Sequence, residues 1–157
     1  MLFIELTPFT LAGQGASFWV PVAILFGMLM GSFFNVVIHR LPRMQLGHRG
    51  SNERYGTLSN RSSCPHCGHA IRWYENIPVI SYVALRGRCS GCHSRISLRY
   101  PLIEIATGAM AGIPLLLLGP SWHALVVTLI GWVLLVAEMT AGEREKLMSS
   151  NAMDGYR

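Results

Sequence analysis

Charge is what this sequence has least of. Asp, Glu, Lys and Arg make up 13% of its 157 residues, against about 25% in an ordinary soluble domain. The scarcity is concentrated. Residues 6–38 contain none of the four, and neither do residues 105–137, so the chain holds two uncharged runs of 33 residues each. A bilayer core of about 30 Å needs about 20 apolar helical residues, so both runs suit a membrane and are too long for an ordinary core helix. A composition that is 51% hydrophobic excludes disorder, a collagen-like repeat and a secreted disulfide scaffold. With about half of a short chain in lipid, no large aqueous core can form, and a complete soluble enzyme domain is not expected.

Basic residues are missing from the beginning: no Lys or Arg precedes Arg40. The first 15 residues therefore lack the positive segment of a signal peptide, and a retained first helix over about residues 18–38 is expected. Ten of the thirteen Lys and Arg lie between the uncharged runs, and the other three, Arg144, Lys146 and Arg157, follow the second. If the second run crosses twice, all thirteen share one side, which the positive-inside rule makes cytoplasmic, with the N-terminus outside. Gly119-Pro120-Ser121 supplies the break. The arms, residues 101–118 and 122–139, are each at the short end of spanning length, with a re-entrant second arm as the alternative. These readings predict an all-α polytopic membrane protein with about three transmembrane helices and a small cytoplasmic zinc-ribbon-like loop domain. The expected divisions are a periplasmic N-terminus (1–16), helix 1 (17–38), the loop domain (39–100), a transmembrane hairpin (101–139) and a polar cytoplasmic tail (140–157). In helix 1, Gly27 and Gly31 form a G-x-x-x-G spacing that lets two helix backbones approach in lipid, although the spacing also arises by chance in Gly-rich spans.

All four cysteines fall in the loop, as Cys64-Pro-His-Cys67 and Cys89-Ser-Gly-Cys92, with 21 residues between the pairs. Two C-x-x-C knuckles offer four thiolates to one tetrahedral Zn²⁺. Two disulfides are the competing reading, and they need an oxidising compartment that the charge distribution argues against. A site ligated by Cys64, Cys67, Cys89 and Cys92 has no open position, so the zinc would be structural. His66, His69 and His93 adjoin complete knuckles and read as solvated neighbours. Arg61, Arg72, Arg86, Arg88 and Arg95 would favour thiolates. A zinc knuckle among arginines also suggests nucleic acid, but topology and anionic lipid explain the basicity, and no aromatic platform is interleaved, so no nucleic-acid partner is expected.

Glu104 follows Arg99-Tyr100-Pro101 at the start of the hairpin. An ionisable group there is a functional candidate by default. The plainer reading is a carboxylate placed at a helix N-terminus. Glu138 carries the same ambiguity, and His123 beside Trp122 suits an outer interfacial belt.

Gly31-Ser-Phe-Phe-Asn35-Val-Val-Ile-His-Arg40-Leu-Pro42, the Cys64 and Cys89 knuckles, Asn76-Ile-Pro-Val-Ile-Ser81-Tyr82 and Ile96-Ser-Leu-Arg-Tyr-Pro101-Leu-Ile-Glu104 closely resemble the type 4 prepilin peptidases, over about residues 27–104. The resemblance implies a multi-pass protein of the bacterial inner (cytoplasmic) membrane that cleaves the leader of type IV prepilins or type II secretion pseudopilins. It also implies N-methylation of the new terminus, with S-adenosylmethionine as the donor. Its aspartic chemistry uses two aspartates, the second in a G-x-G-D motif.

Here the single aspartate is Asp154 and no G-x-G-D occurs. One Asp cannot supply two carboxyl groups that share a catalytic water. Glu143 and Glu145, in Gly-Glu-Arg-Glu-Lys, read as a solvated tail. The resemblance thus covers the amino-terminal part of the family, and the expectation is a truncated, split or degenerate member lacking the catalytic pair. The missing C-terminal half would then be a partner, beside a prepilin or pseudopilin and membrane lipid. The alternative is a non-catalytic membrane zinc module that binds prepilin or another membrane subunit.

Overall fold

The computed structural model describes residues 12–45 and 62–154, with side chains over 18–45 and 62–150. The expected N-terminal segment up to residue 11, the arginines 49, 54 and 61, and residues 155–157 lie outside that description. Helix α1 spans Ala12–Gln45, a short helix α2 Ile80–Ala84, α3 Arg99–Leu118 and α4 Trp122–Asp154, with one 3-10 turn at Trp73–Asn76. Three of these are long and apolar enough to cross a membrane, over Phe18–Gln45, Arg99–Leu118 and Trp122–Ser150. The architecture is all-helical, as the sequence predicts.

The bundle is apolar outside and small or polar within. Phe18, Trp19, Leu25, Leu29 and Phe33 of α1 and Leu125, Val133 and Leu134 of α4 are exposed, whereas Ser32, Asn35, Thr107 and Thr128 are buried. Lipid tails are as apolar as leucine, so helix association in a bilayer rests on close packing and interhelical hydrogen bonds. The glycines show how close. A Cβ on Gly27 would lie 2.5 Å from the Thr107 carbonyl oxygen and 2.8 Å from Gly108 Cα, and one on Gly31 would lie 2.8 Å from Glu104 Cα and collide with Thr107 Oγ1. The contact is reciprocal, because Cβ atoms on Gly108 and Gly112 would run into Ile24 and Met28. Gly108 and Gly112 are themselves four apart, a second small-x-x-x-small stripe facing the first. Replacing Gly31 by Val is therefore expected to force α1 and α3 apart. The cost should be at least the ~1–3 kcal/mol of core overpacking, read as a lower melting temperature in detergent. An unchanged melt would refute this packing.

Helix α4 joins through hydrogen bonds from one face. Thr128 Oγ1 shares its proton between the Ala124 carbonyl of its own helix at 2.9 Å and the Met110 carbonyl of α3 at 3.1 Å, and Trp132 Nε1 donates to the Thr107 carbonyl at 3.1 Å. Residues four apart on a helix share a face, which aligns the two donors. The turn from α3 to α4 falls where Gly119-Pro120-Ser121 predicts it: Gly119 takes φ +66°, a conformation that other residues adopt at a cost, and Ser121 Oγ accepts the Ala124 N–H at 3.3 Å.

Helix α4 does not stop at residue 139. It runs to Asp154, about 50 Å at 1.5 Å per residue, well beyond one bilayer core. Glu143 is accordingly no loosely solvated group: it forms an ion pair with Arg99 at the start of α3. The charged run is helical, and one of its carboxylates faces back onto the bundle.

Candidate metal centre and the cleft beside it

Each C-x-x-C pair builds the same loop. In the first, the Cys64 N–H donates to the His69 carbonyl at 2.9 Å, the Gly68 N–H returns to the Cys64 carbonyl at 2.9 Å, and Ser63 bridges Ala70 antiparallel. In the second, the Cys89 N–H donates to the Ser94 carbonyl at 2.9 Å, the His93 N–H to the Cys89 carbonyl at 3.0 Å, and Arg88 bridges Arg95. The offsets from the leading cysteine are identical. The residue after each second cysteine is left-handed, Gly68 at φ +71° and His93 at φ +58°. The repeat brings the sulfurs together: Cys64 Sγ lies 3.8 Å from Cys92 Sγ, Cys67 Sγ 4.0 Å from Cys89 Sγ, and all four sit within 4.8 Å of one another. A tetrahedron with metal–sulfur bonds of about 2.3 Å has edges of about 3.8 Å, so these residues fit one ion. A disulfide needs about 2.05 Å, and all four cysteines are free. Among the described residues, this is the group arranged to hold a metal.

The centre is half sheltered, with Cys64 and Cys89 buried and Cys67 and Cys92 exposed. Burial opposes ionisation of Cys64, but the N–H groups of Cys67 and His66 outweigh it and bring the thiol down to about 6. The backbone of the knuckle, rather than the arginines, thus has the largest favourable influence on this thiolate. Ser94 Oγ, 3.2 Å from Cys92 Sγ, helps to hold the Cys92 thiol below its usual range. His66 and His93 are exposed and outside the sulfur group, in keeping with solvated neighbours. His69 is not simply solvated, because its Nε2 lies 3.0 Å from Ser90 Oγ of the other knuckle and 3.4 Å from Glu75 Oε2. The Arg72 N–H holds the Glu75 carboxyl low, donating to it at 2.8 Å.

Glu104 is buried, 8% exposed. Its Oε2 accepts the Val79 N–H at 2.8 Å, and the Ser32 hydroxyl also bonds to the carboxylate. One membrane-helix side chain thereby ties the metal loop to both α1 and α3. Val79 has φ +57° and ψ −45°, and the Ile80 N–H reaches the Pro78 carbonyl at 2.5 Å, the rarer and strained form of γ-turn. A β-branched residue in that region is a genuine outlier, and here it aims a backbone donor at Glu104. Sequence reasoning singled out Glu104, and Ser32 and Asn35 as polar groups near the cytoplasmic end of helix 1, but missed Val79 and the partners of all three; Asn35 Nδ2 donates to the Tyr100 carbonyl at 3.2 Å. Between α1, the start of α3 and the metal loop lies a cleft of about 540 Å³, with Ser32, Asn35, His39, Glu75, Val79 and Glu104 among its lining. Glu138 is exposed on α4 and takes no part in it.

A family model described as "Bacterial Peptidase A24 N-terminal domain" matches residues 25–117. The chain belongs to that family. The match takes in α1 from Leu25, the metal loop and nearly all of α3. Similar curated proteins are named "Prepilin leader peptidase/N-methyltransferase". One from Burkholderia pseudomallei (strain K96243) is 49% identical over 66% of this chain and 38% of its own length. Another from Stutzerimonas stutzeri is 39% identical over 92% of this chain and 55% of its own. A third from Pseudomonas putida is 35% identical over 96% and 56%. The chain spans about half the length of the curated relatives it matches, and less of the Burkholderia protein. No solved structure matches it. The peptidase A24 N-terminal domain thus bears out the prepilin peptidase resemblance on which the sequence analysis ends, and with three apolar helices it makes this a multi-pass inner-membrane protein.

Proposed function

We propose that this chain supplies the amino-terminal functions of a prepilin leader peptidase/N-methyltransferase: contact with a type IV prepilin or type II secretion pseudopilin, a structural zinc domain, and a share in N-methylation. The four-sulfur cluster inside a matched peptidase A24 N-terminal domain is the observation that carries the reading. Zinc is the metal of choice for four thiolates in a tetrahedron, held by Cys64, Cys67, Cys89 and Cys92, and a site so closed is structural. The cleft beside it falls within the volume range of small-molecule sites. S-adenosylmethionine, which the resemblance implies, would supply the methyl group when bound. Leader proteolysis depends on a carboxylate pair that the single Asp154 does not provide, so it needs a partner segment carrying G-x-G-D. The test is processing of a prepilin by this chain alone and with that segment co-expressed.

The proposed divisions are residues 39–100 as the metal domain, entered through the last turns of α1 (39–45), 101–139 as the membrane hairpin and 140–157 as a tail on the same side as the metal domain, in which 140–154 continue α4. The basic residues put that side in the cytoplasm. Alkaline phosphatase fused after Thr10 or at Ser121 is expected to be active, and fused after Gly47 or at Asn151 inactive. Activity at Gly47 would reverse the orientation and take the reducing environment of the cysteines with it.

A further inference from the structure

Glu104 is the one buried acidic side chain among the described residues, and although Arg40, Arg43 and Arg95 line the same cleft, no ion pair joins it to a cationic side chain. The two ion pairs found there join His69 to Glu75 and Arg99 to Glu143. What Glu104 has instead is two neutral donors, the Val79 N–H and the Ser32 hydroxyl. A carboxylate offers about four lone-pair positions, so acceptor capacity is left over. A buried charge without a counter-charge is costly, and buried charges are ordinarily paired. This one lines an open cleft of about 540 Å³, through which a ligand can bring the counter-charge.

The groups around it specify what kind of cation. Asn35, three residues from Ser32 on α1, commits its Nδ2 to the Tyr100 carbonyl, so its Oδ1 is left as an acceptor. Ser32, in donating to Glu104, also keeps a lone pair. This end of the cleft is therefore rich in acceptors, which suits a cation that donates several hydrogen bonds. A sulfonium carries charge but donates none. Nearby walls are apolar, from Val36, Ile77, Val79 and Pro101. From the carboxylate, the adjoining acceptors and these walls, we infer that Glu104, with Asn35 and Ser32, binds the α-ammonium group of a peptide whose first side chains are apolar. The choice of a peptide as bearer of the amine rests on the prepilin reading, whose chemistry modifies an amino terminus. Glu104 on this account is a binding residue, and the strained turn at Val79 fixes its carboxylate at the cleft.

The test uses the zinc-loaded chain in lipid nanodiscs and a C-terminally labelled peptide, Ala-Leu-Ile-Leu-Ala, with its terminus free or acetylated. At pH 7 the free peptide is expected to bind at least about tenfold more tightly than the acetylated one. Glu104→Gln keeps an acceptor for the Val79 N–H but loses the charge. It should bring both peptides to the acetylated level while zinc content stays at that of the unaltered protein. A wild-type chain indifferent to acetylation, or a Gln variant that keeps the preference, overturns the inference. If the variant misfolds and loses zinc, the unaltered chain still decides. Its preference must fade as pH rises through the peptide amine's pKa of about 8, and a preference that stays flat overturns the site. Competition by S-adenosylmethionine and by its homocysteine analogue, which keeps the α-ammonium and lacks only the sulfonium charge, tests whether the site answers to a sulfonium. If Glu104→Gln abolishes discrimination between those two but leaves that between the peptides, Glu104 answers to a sulfonium and the assignment fails. Since the probe is not a prepilin, amine preference without prepilin processing even when a segment carrying G-x-G-D is co-expressed sinks the prepilin reading and keeps the site, and such processing without amine preference sinks the site alone.

Discussion

Replacing Cys64 and Cys89 together by Ser is expected to take the purified chain from about one zinc to none, and to turn residues 62–98 from a protease-resistant unit into a ready substrate. These two are the buried cysteines, one from each knuckle, so the double variant breaks both halves of the tetrahedron at the sheltered side. The loop has little else to hold it. Among the described residues between α1 and α3, Cys64, Cys89 and Pro78 are the buried apolar side chains, a core far too small to offset the chain entropy of ordering that segment, at about 1–2 kcal/mol per residue. Structural zinc in comparable peptides contributes about 10–16 kcal/mol of apparent free energy near neutral pH, enough to decide between folded and unfolded. Protons compete with the metal for thiolates, so acid should release zinc from the unaltered protein as well, and neutralisation with added zinc should restore it. Metal analysis and limited proteolysis with mass readout check both statements. Unchanged zinc in the double variant would reject the ligand set. Zinc loss without new cleavage sites would show that Glu104 and the helices suffice to hold the loop.

That second outcome is physically meaningful because of contacts the sequence does not display. Spacing alone picks out the four cysteines, since a C-x-x-C turn brings two sulfurs together wherever it occurs. The break at Gly119 is equally visible, because few other sequences tolerate that backbone. The uncharged runs announce the spans. By contrast, the bond from Val79 to Glu104 joins residues 25 apart in sequence through a backbone donor, and a backbone donor has no side-chain signature. Val79 was hidden further because a β-branched residue predicts extended structure rather than a left-handed turn. The Arg99–Glu143 pair spans 44 residues, and Gly-Glu-Arg-Glu-Lys by itself is indistinguishable from a solvated run. Gly108-x-x-x-Gly112 was legible by the same spacing rule as Gly27-x-x-x-Gly31, and their mutual fit becomes evident only when the two helices are side by side.

Alone, the chain is expected to leave a prepilin leader uncut, with any binding of the substrate retained. Hydrolysis by a carboxylate pair requires two acids close enough to share a proton and a water, one ionised and one protonated. General acid–base assistance of this kind is worth about 10²–10⁴-fold, so its loss drops cleavage below ordinary detection. The described acids do not assemble such a pair. Glu104 is buried and bonded to Val79 and Ser32, Glu138 is exposed on α4, Glu143 is held by Arg99 and Glu75 lies against His69. Asp154 closes α4 as the single aspartate of the sequence. The check is incubation of the detergent-solubilised chain with a prepilin, followed by mass measurement of the new N-terminus. Mature pilin that disappears with a Glu104→Gln, Glu138→Gln double variant would prove this account wrong and assign the chemistry to a glutamate pair. Mature pilin that appears only when a segment carrying G-x-G-D is co-expressed would instead make this chain one half of a divided peptidase. In that case Glu104→Gln should lower methylation of the product far more than its cleavage, because an amine exists to be held only after the peptide bond has been cut.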